Sequence, residues 1–185
     1  MMMAYNIVVY VGSLRKASFS RKMAKALIAL APESLQLEIM DISKLPMYNE
    51  DLDESPPEEW VLFRKQLKDC DGILFVTPEY NRTIPGVLKN ALDVGSRPYG
   101  ESSWDGKPAA VVSVSPSAIG AFGANHHLRQ ALAYLNVPAM AQPEAYVGHA
   151  NELFDEDGSL TNAATIEFLR DFMRAFADWV ATIKG

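Results

Sequence analysis

Hydrophobic positions fall along the chain in two alternating rhythms. Short apolar runs rich in β-branched residues stand at 7–11, 35–40, 73–77 and 109–115, with a weaker run at 139–147. These predict five strands. The first, third and fourth are apolar at consecutive rather than alternate positions, as strands buried on both faces of a parallel sheet must be. Between the runs the period lengthens to that of a helix. Met23, Ala24, Leu27, Ile28 and Ala31 share one helical face, and Trp60, Phe63, Leu67 and Cys70 follow a similar spacing. Pro85 followed by Leu88, Ala91 and Leu92 predicts a helix with proline in its first turn. Leu128, Ala131, Leu132 and Leu135 mark another, and Leu169, Phe172, Met173, Phe176 and Val180 a last one. Strand and helix thus alternate five times, which predicts an α/β fold: a parallel sheet with right-handed crossovers and helices on both faces. Residues 49–59, with six acids and two prolines, read as a solvated loop, as do residues 97–107. Neither divides the chain, so residues 1–185 are expected to form a single domain.

Composition narrows the function classes. A 185-residue chain that is 49% hydrophobic buries roughly 70% of its unfolded surface and needs no metal or disulfide to hold it. The single cysteine, Cys70, excludes an internal disulfide and multi-cysteine metal sites, and reads as a core residue at a helix end. No apolar run approaches the ~20 residues of a membrane span, and the N-terminus lacks a basic, apolar signal pattern, so a cytoplasmic protein without membrane insertion is expected. A net charge of -6 argues against sequence-independent binding to nucleic acid. His126, His127 and His149 have no metal-ligand spacing, so no metal is expected. The aromatic residues of 168–179 read as core, whereas Tyr99 and Trp104, in an irregular loop, are expected to be exposed and to cover a ligand or meet a partner subunit.

In an open α/β sheet, ligands bind beyond the carboxyl ends of the strands. Three loops lie there. The first, Gly12-Ser13-Leu14-Arg15-Lys16-Ala17-Ser18-Phe19-Ser20, opens a stretch in which Arg15, Lys16, Arg21, Lys22 and Lys25 give a local charge of +5 within an acidic chain. Serine hydroxyls, loop amides, an Arg fork and a helix N-terminus suit a phosphate; the alternative is a solvated basic helix capped by Ser20. The motif lacks the glycines of a dinucleotide fingerprint, and residues 100–108 miss a P-loop in both glycine spacing and the final Ser/Thr, so a terminal monophosphate is favoured. The second loop, Pro78-Glu79-Tyr80-Asn81, offers amides, an aromatic ring and a carboxamide to a flat hydrogen-bonding ligand, or is an ordinary turn into the Pro85 helix. The third, residues 116–123, is small and glycine-containing, so its backbone can approach a planar group. A hydrolase would need a nucleophile elbow that is absent, and a phosphorylated receiver would need acids where Gly12 and Ser13 stand.

These loops, with Thr77-Pro78-Glu79-Tyr80-Asn81, Pro85-Gly86-x-Leu88-Lys89-Asn90-Ala91-Leu92-Asp93 and the segment 113–123, resemble the NADPH-dependent FMN reductase family, in particular bacterial chromate and quinone reductases. The resemblance implies a flavodoxin-like three-layer sandwich whose five-stranded parallel sheet has the order 2-1-3-4-5. It implies FMN held by Ser13, Arg15, Ser18, Phe19 and Ser20 at the phosphate, by Pro78, Glu79, Tyr80 and Asn81 around the ring, and by Ser113 and Ser115 at a strand end. Ser20 stands where many members carry Asn. The implied activity is ping-pong transfer of reducing equivalents from NADPH or NADH through FMN to quinones, chromate or other small electron acceptors, with no catalytic side chain beyond those that hold the flavin. A non-enzymatic electron carrier and an azo or nitro reductase are the alternatives. Family members form homodimers or homotetramers, with loop 97–107 placed to complete a neighbour's pocket.

Overall fold

The computed structural model describes residues 4–185. Five strands, β1 (Tyr5–Val11), β2 (Leu35–Met40), β3 (Gly72–Thr77), β4 (Ala109–Val114) and β5 (Ala145–Val147), form one all-parallel sheet in the order β2-β1-β3-β4-β5. This is the expected flavodoxin-like order. The helices α1 (Phe19–Leu30), α2 (Glu58–Asp69), α3 (Gly86–Gly95), α4 (Phe122–Tyr134) and α5 (Ala163–Lys184) connect and follow the strands.

Strand alternation sorts the core into two layers. Ile7, Val9, Val11, Leu74, Val76, Ala110, Val112 and Val114 face α1 and α5, while Val8, Tyr10, Ile73, Phe75, Ala109 and Val111 face α2, α3 and α4. Every residue of β3 and β4 is buried, whereas β2 and β5 at the sheet edges are only partly covered. The consecutive apolar runs are therefore the central strands. Among the described residues no helix is long and apolar enough to cross a membrane.

Local details depart from the sequence reading. Ser18, not Ser20, caps α1, its side chain accepting from the Arg21 amide at 3.1 Å. Pro85 is itself the N-cap of α3 rather than a first-turn residue. Only residues 145–147 of the weak fifth run pair as a strand; earlier in the run Ala139 makes one isolated bridge to Ala109. The acidic stretch is anchored rather than loose: residues 50–52 make a 3₁₀ turn, and Asp53 accepts from the Tyr48 hydroxyl at 2.9 Å and from Arg64 at 3.5 Å. The largest departure is Trp104, which is fully buried against Tyr10, Phe63 and Phe75, whereas Tyr99 is exposed as expected.

Tyr10 carries a polar defect in this aromatic core. Its hydroxyl is buried with no protein partner, and burial pushes the phenol pKa well above its usual value. A buried, unpaired hydroxyl costs stability that a same-shaped apolar group avoids. Tyr10→Phe is expected to raise the unfolding free energy by about 1 kcal/mol, measured by urea titration with an unchanged m-value. A loss of more than about 1 kcal/mol would show the hydroxyl to be satisfied.

Candidate functional site

The loops after β1, β3 and β4 meet beside the gap between β1 and β3, where the strand order reverses. They enclose a cleft of about 330 Å³ lined by Ser13, Arg15, Ser18, Phe19 and Ser20 from the first loop, Pro78, Glu79 and Tyr80 from the second, and Val114, Ser115, Pro116 and Ser117 from the third. Three cavities, two of about 440 Å³ and one of about 350 Å³, are larger, but none is lined by any of these loops. Chemistry, not size, marks the site.

The first loop is drawn tightly onto the second. The Gly12 amide donates to the Val76 carbonyl at 2.9 Å, and a Cβ on Gly12 would meet Thr77 Oγ1 at 2.9 Å, so a side chain there would push the loops apart. Ser13, Ser18 and Ser20 are 4, 3 and 1% exposed. Ser13 Oγ accepts from the Arg15 amide at 3.4 Å and Ser18 Oγ from the Arg21 amide, which leaves their hydroxyl protons free to donate outward. The first amides of α1 have no intrahelical acceptor, and no acid stands in its first turn to neutralise them. Three buried hydroxyls, helix amides and the exposed Arg15 therefore meet in the cleft, a set of donors of the kind that suits an anion.

Arg21 and Lys22 face other partners. The Lys22 ammonium lies 5.9 Å from the centre of the Phe19 ring and 5.7 Å from that of Phe154. Arg21 and Lys44 help Ser43, whose hydrogen bonds dominate, to lower the Asp41 pKa. Of the +5 cluster, Arg15 lines the cleft.

In the second loop, Thr77 Oγ1 donates to the Pro78 carbonyl at 2.8 Å. Tyr80 and Thr83 exchange two backbone bonds of 3.0 Å across Asn81 and Arg82, whose φ values of 52° and 65° make a tight hairpin turn. Asn81 shapes this turn and does not line the cleft. Tyr80, 47% exposed, does line it. The Glu79 carboxylate turns toward α4, accepting from the Ala124 amide and Arg82, each at 3.1 Å.

Ser113 and Ser115 part company. Ser113 is fully buried on the sheet face that meets α4; its hydroxyl donates to the Gly120 carbonyl at 2.7 Å and accepts from Asn125 at 3.2 Å. It does not line the cleft, and acts by bracing the third loop. Ser115 does line it, with Oγ accepting from the Ser117 amide at 2.9 Å. Pro116 and Ser117 are cleft residues that the sequence reading did not single out, although the Ser-x-Ser spacing signals this side-chain turn.

Beside this loop, the Tyr146 hydroxyl donates to Glu144 at 2.7 Å and lies 2.9 Å from His126 Nε2. Desolvation, then the Glu144 contact and charge, push its pKa up to about 12. His127 Nδ1 lies 2.7 Å from Thr83 Oγ1. Among the described residues no cluster of three or more His, Cys, Asp or Glu could hold a metal. Cys70, at the end of α2, is buried, donates to Leu67, and has its pKa raised mainly by burial.

The residues present fit FMN. The hydroxyls, helix amides and Arg15 suit a monophosphate, and Pro78, Tyr80, Pro116 and Ser117 line the rest of the cleft with surface that suits a flat ring. A model of the family described as NADPH-dependent FMN reductase matches residues 5–152. A quinone reductase of Pseudomonas putida is 58% identical over 181 residues, covering 97% of each chain. A 2-hydroxy-1,4-benzoquinone reductase of a Burkholderia species is 47% identical over 178 residues, 96% of this chain and 97% of that one. FerB, a flavoenzyme NAD(P)H:(acceptor) oxidoreductase from Paracoccus denitrificans, superimposes with a TM-score of 0.91 at 42% identity, covering 97% of this chain and 98% of its own. The chain therefore belongs to the NADPH-dependent FMN reductase family.

Proposed function

We propose that this protein is an FMN-dependent NAD(P)H:quinone oxidoreductase built as one flavodoxin-like domain. The observation that carries the reading is the convergence of three buried serines, Arg15 and the start of α1 with the loops after β3 and β4 in a single cleft. The names of its relatives, quinone reductases and an NAD(P)H:(acceptor) oxidoreductase, support the substrates. FMN, when bound, supplies the hydride chemistry, taking hydride from NADPH or NADH and passing the electrons to a quinone in a ping-pong sequence.

The chain's own groups bind and orient. Arg15 neutralises phosphate charge, while Ser13, Ser18 and Ser20 donate hydroxyls to it. The positive end of α1 adds to this anchor. Pro78, Tyr80 and the Ser115–Ser117 turn form the ring slot, and the backbone of Glu79 borders it. Chromate and other small electron acceptors are further substrates of such an open site. A cytoplasmic location is supported by the one, unpaired cysteine. A homodimer or homotetramer is supported by Tyr99 and Tyr134, 87% and 86% exposed beside the groove between α3 and α4.

The visible spectrum of the purified protein, with identification of the chromophore released by heat, tests the reading. Released FMN, bleached by NADH or NADPH and reoxidised by benzoquinone with steady turnover, is the expected result. A bound flavin that NAD(P)H does not bleach would identify a carrier instead. A protein that cannot be loaded with FMN would overturn the assignment.

A further inference from the structure

Helix α4 begins without a cap of its own. Its N-cap residue, Ala121, sits in the left-handed region at φ 59° and offers no side-chain acceptor. The first amides of a helix need acceptors, and one comes from across the cleft. Glu79 Oε2 accepts from the Ala124 amide at 3.1 Å, from a loop 45 residues earlier in the chain. The Glu79 side chain is only 12% exposed, although it belongs to a surface turn, and Oε1 accepts from Arg82 Nη1 at 3.1 Å. The fit is close: a Cβ on Gly123 would meet Arg82 O at 2.8 Å and Glu79 Oε2 at 2.9 Å.

We infer that Glu79 is a positioning residue whose carboxylate, by capping α4 from the loop after β3, fixes the two walls of the flavin-ring slot against each other. Pro78 and Tyr80 flank Glu79 in the loop after β3, Pro116 and Ser117 belong to the loop that leads into α4, and all four line the cleft. The Thr83 to His127 contact pins the far end of the same turn, so the strut acts on a hairpin already held at its base. The anion site around Ser18 and Ser20 lies on α1 and takes no part in this contact. Glu79 therefore governs affinity for the ring end of the flavin and not for its phosphate. This inference rests on the flavin reading of the cleft.

Riboflavin, which carries the ring but no phosphate, separates the two ends. In Glu79→Ala, riboflavin and FMN are each expected to bind about tenfold more weakly, the scale of one lost charge-assisted hydrogen bond. Glu79→Gln keeps an amide oxygen for the Ala124 N–H and loses only a contact to Arg82, whose side chain is 74% exposed. It is expected to restore both affinities to within about threefold, because exposed ion pairs contribute little. The visible circular dichroism of bound riboflavin, altered in Glu79→Ala, should return in Glu79→Gln. In protein stripped of flavin, hydrogen exchange at the Ala124 amide should quicken by about tenfold in Glu79→Ala and not in Glu79→Gln. Unchanged riboflavin affinity and unchanged Ala124 exchange in Glu79→Ala would overturn the strut. A wild-type protein that binds neither flavin would instead overturn the flavin reading, and the ring-slot role with it, whatever the amide exchange shows.

Discussion

Replacing Arg15 with alanine is expected to weaken FMN binding by roughly 10–150-fold while leaving riboflavin affinity within about threefold of wild type. Arg15 is exposed, and an isolated surface ion pair contributes only about 0–1 kcal/mol. The site around it raises that figure. Ser13, Ser18 and Ser20 are nearly fully buried and held by strand and helix, so a phosphate placed among them is already partly stripped of water. The fork then acts on a fixed anion with few competing donors, where hydrogen bonds to charged groups contribute about 1.5–3 kcal/mol. Arg15→Lys should recover only part of the loss, since an ammonium cannot make the planar two-point contact. Fluorescence titration with both flavins reads the result. An unchanged FMN affinity in Arg15→Ala would mean that the cleft does not hold a phosphate at this end.

Which parts of this site were legible in the sequence follows from the range of the interactions involved. Fully buried parallel strands declare themselves as consecutive apolar runs, and the loops at their carboxyl ends can be read off by position, which is why residues of three distant segments prove to line one cleft. What position cannot give is side-chain direction. Ser113 and Ser115 lie two residues apart, yet Ser113 still belongs to β4 and points into the α4 layer, while Ser115 lies past the strand end where the chain turns. Asn81 stands beside Tyr80 in sequence but occupies the left-handed corner of a hairpin turn, which turns it away from the role of cleft lining. Glu79 reads as a loop residue that offers its amide, and only the folded chain brings the start of α4 to its carboxylate. Strand position identified the loops and the family resemblance their ligand; the tertiary contacts divide their residues into those that line the cleft and those that brace it.

Trp104→Ala is expected to cost about 3–5 kcal/mol, the range for deleting a fully buried large aromatic side chain. For a domain whose whole stability is of order 5–15 kcal/mol, that is a large share. Residues 97–107 read as a loop because they are rich in Gly, Ser and Pro, and a loop aromatic reads as exposed. The indole instead folds back across α3, donating from Nε1 to the Leu92 carbonyl at 3.0 Å. It meets Tyr10 and Phe63 edge-on, with ring centres 5.6 and 6.0 Å apart, and Phe75 at 5.9 Å. Gly95, the last residue of α3, lies directly beneath: a Cβ there would sit 2.5 Å from Trp104 Nε1. This contact makes the assignment testable beyond a simple loss of stability. Gly95→Ala alone should be strongly destabilising, because its methyl collides with the indole. In the Trp104→Ala background the added methyl meets vacated space, so the second substitution should cost far less, giving a coupling energy within the roughly 0.5–3 kcal/mol seen for contacting residues. Urea titrations of the two single variants and the double variant measure it. Additive losses, or a Trp104→Ala protein within about 1 kcal/mol of wild type, would show that the indole does not fill the core between α2 and α3.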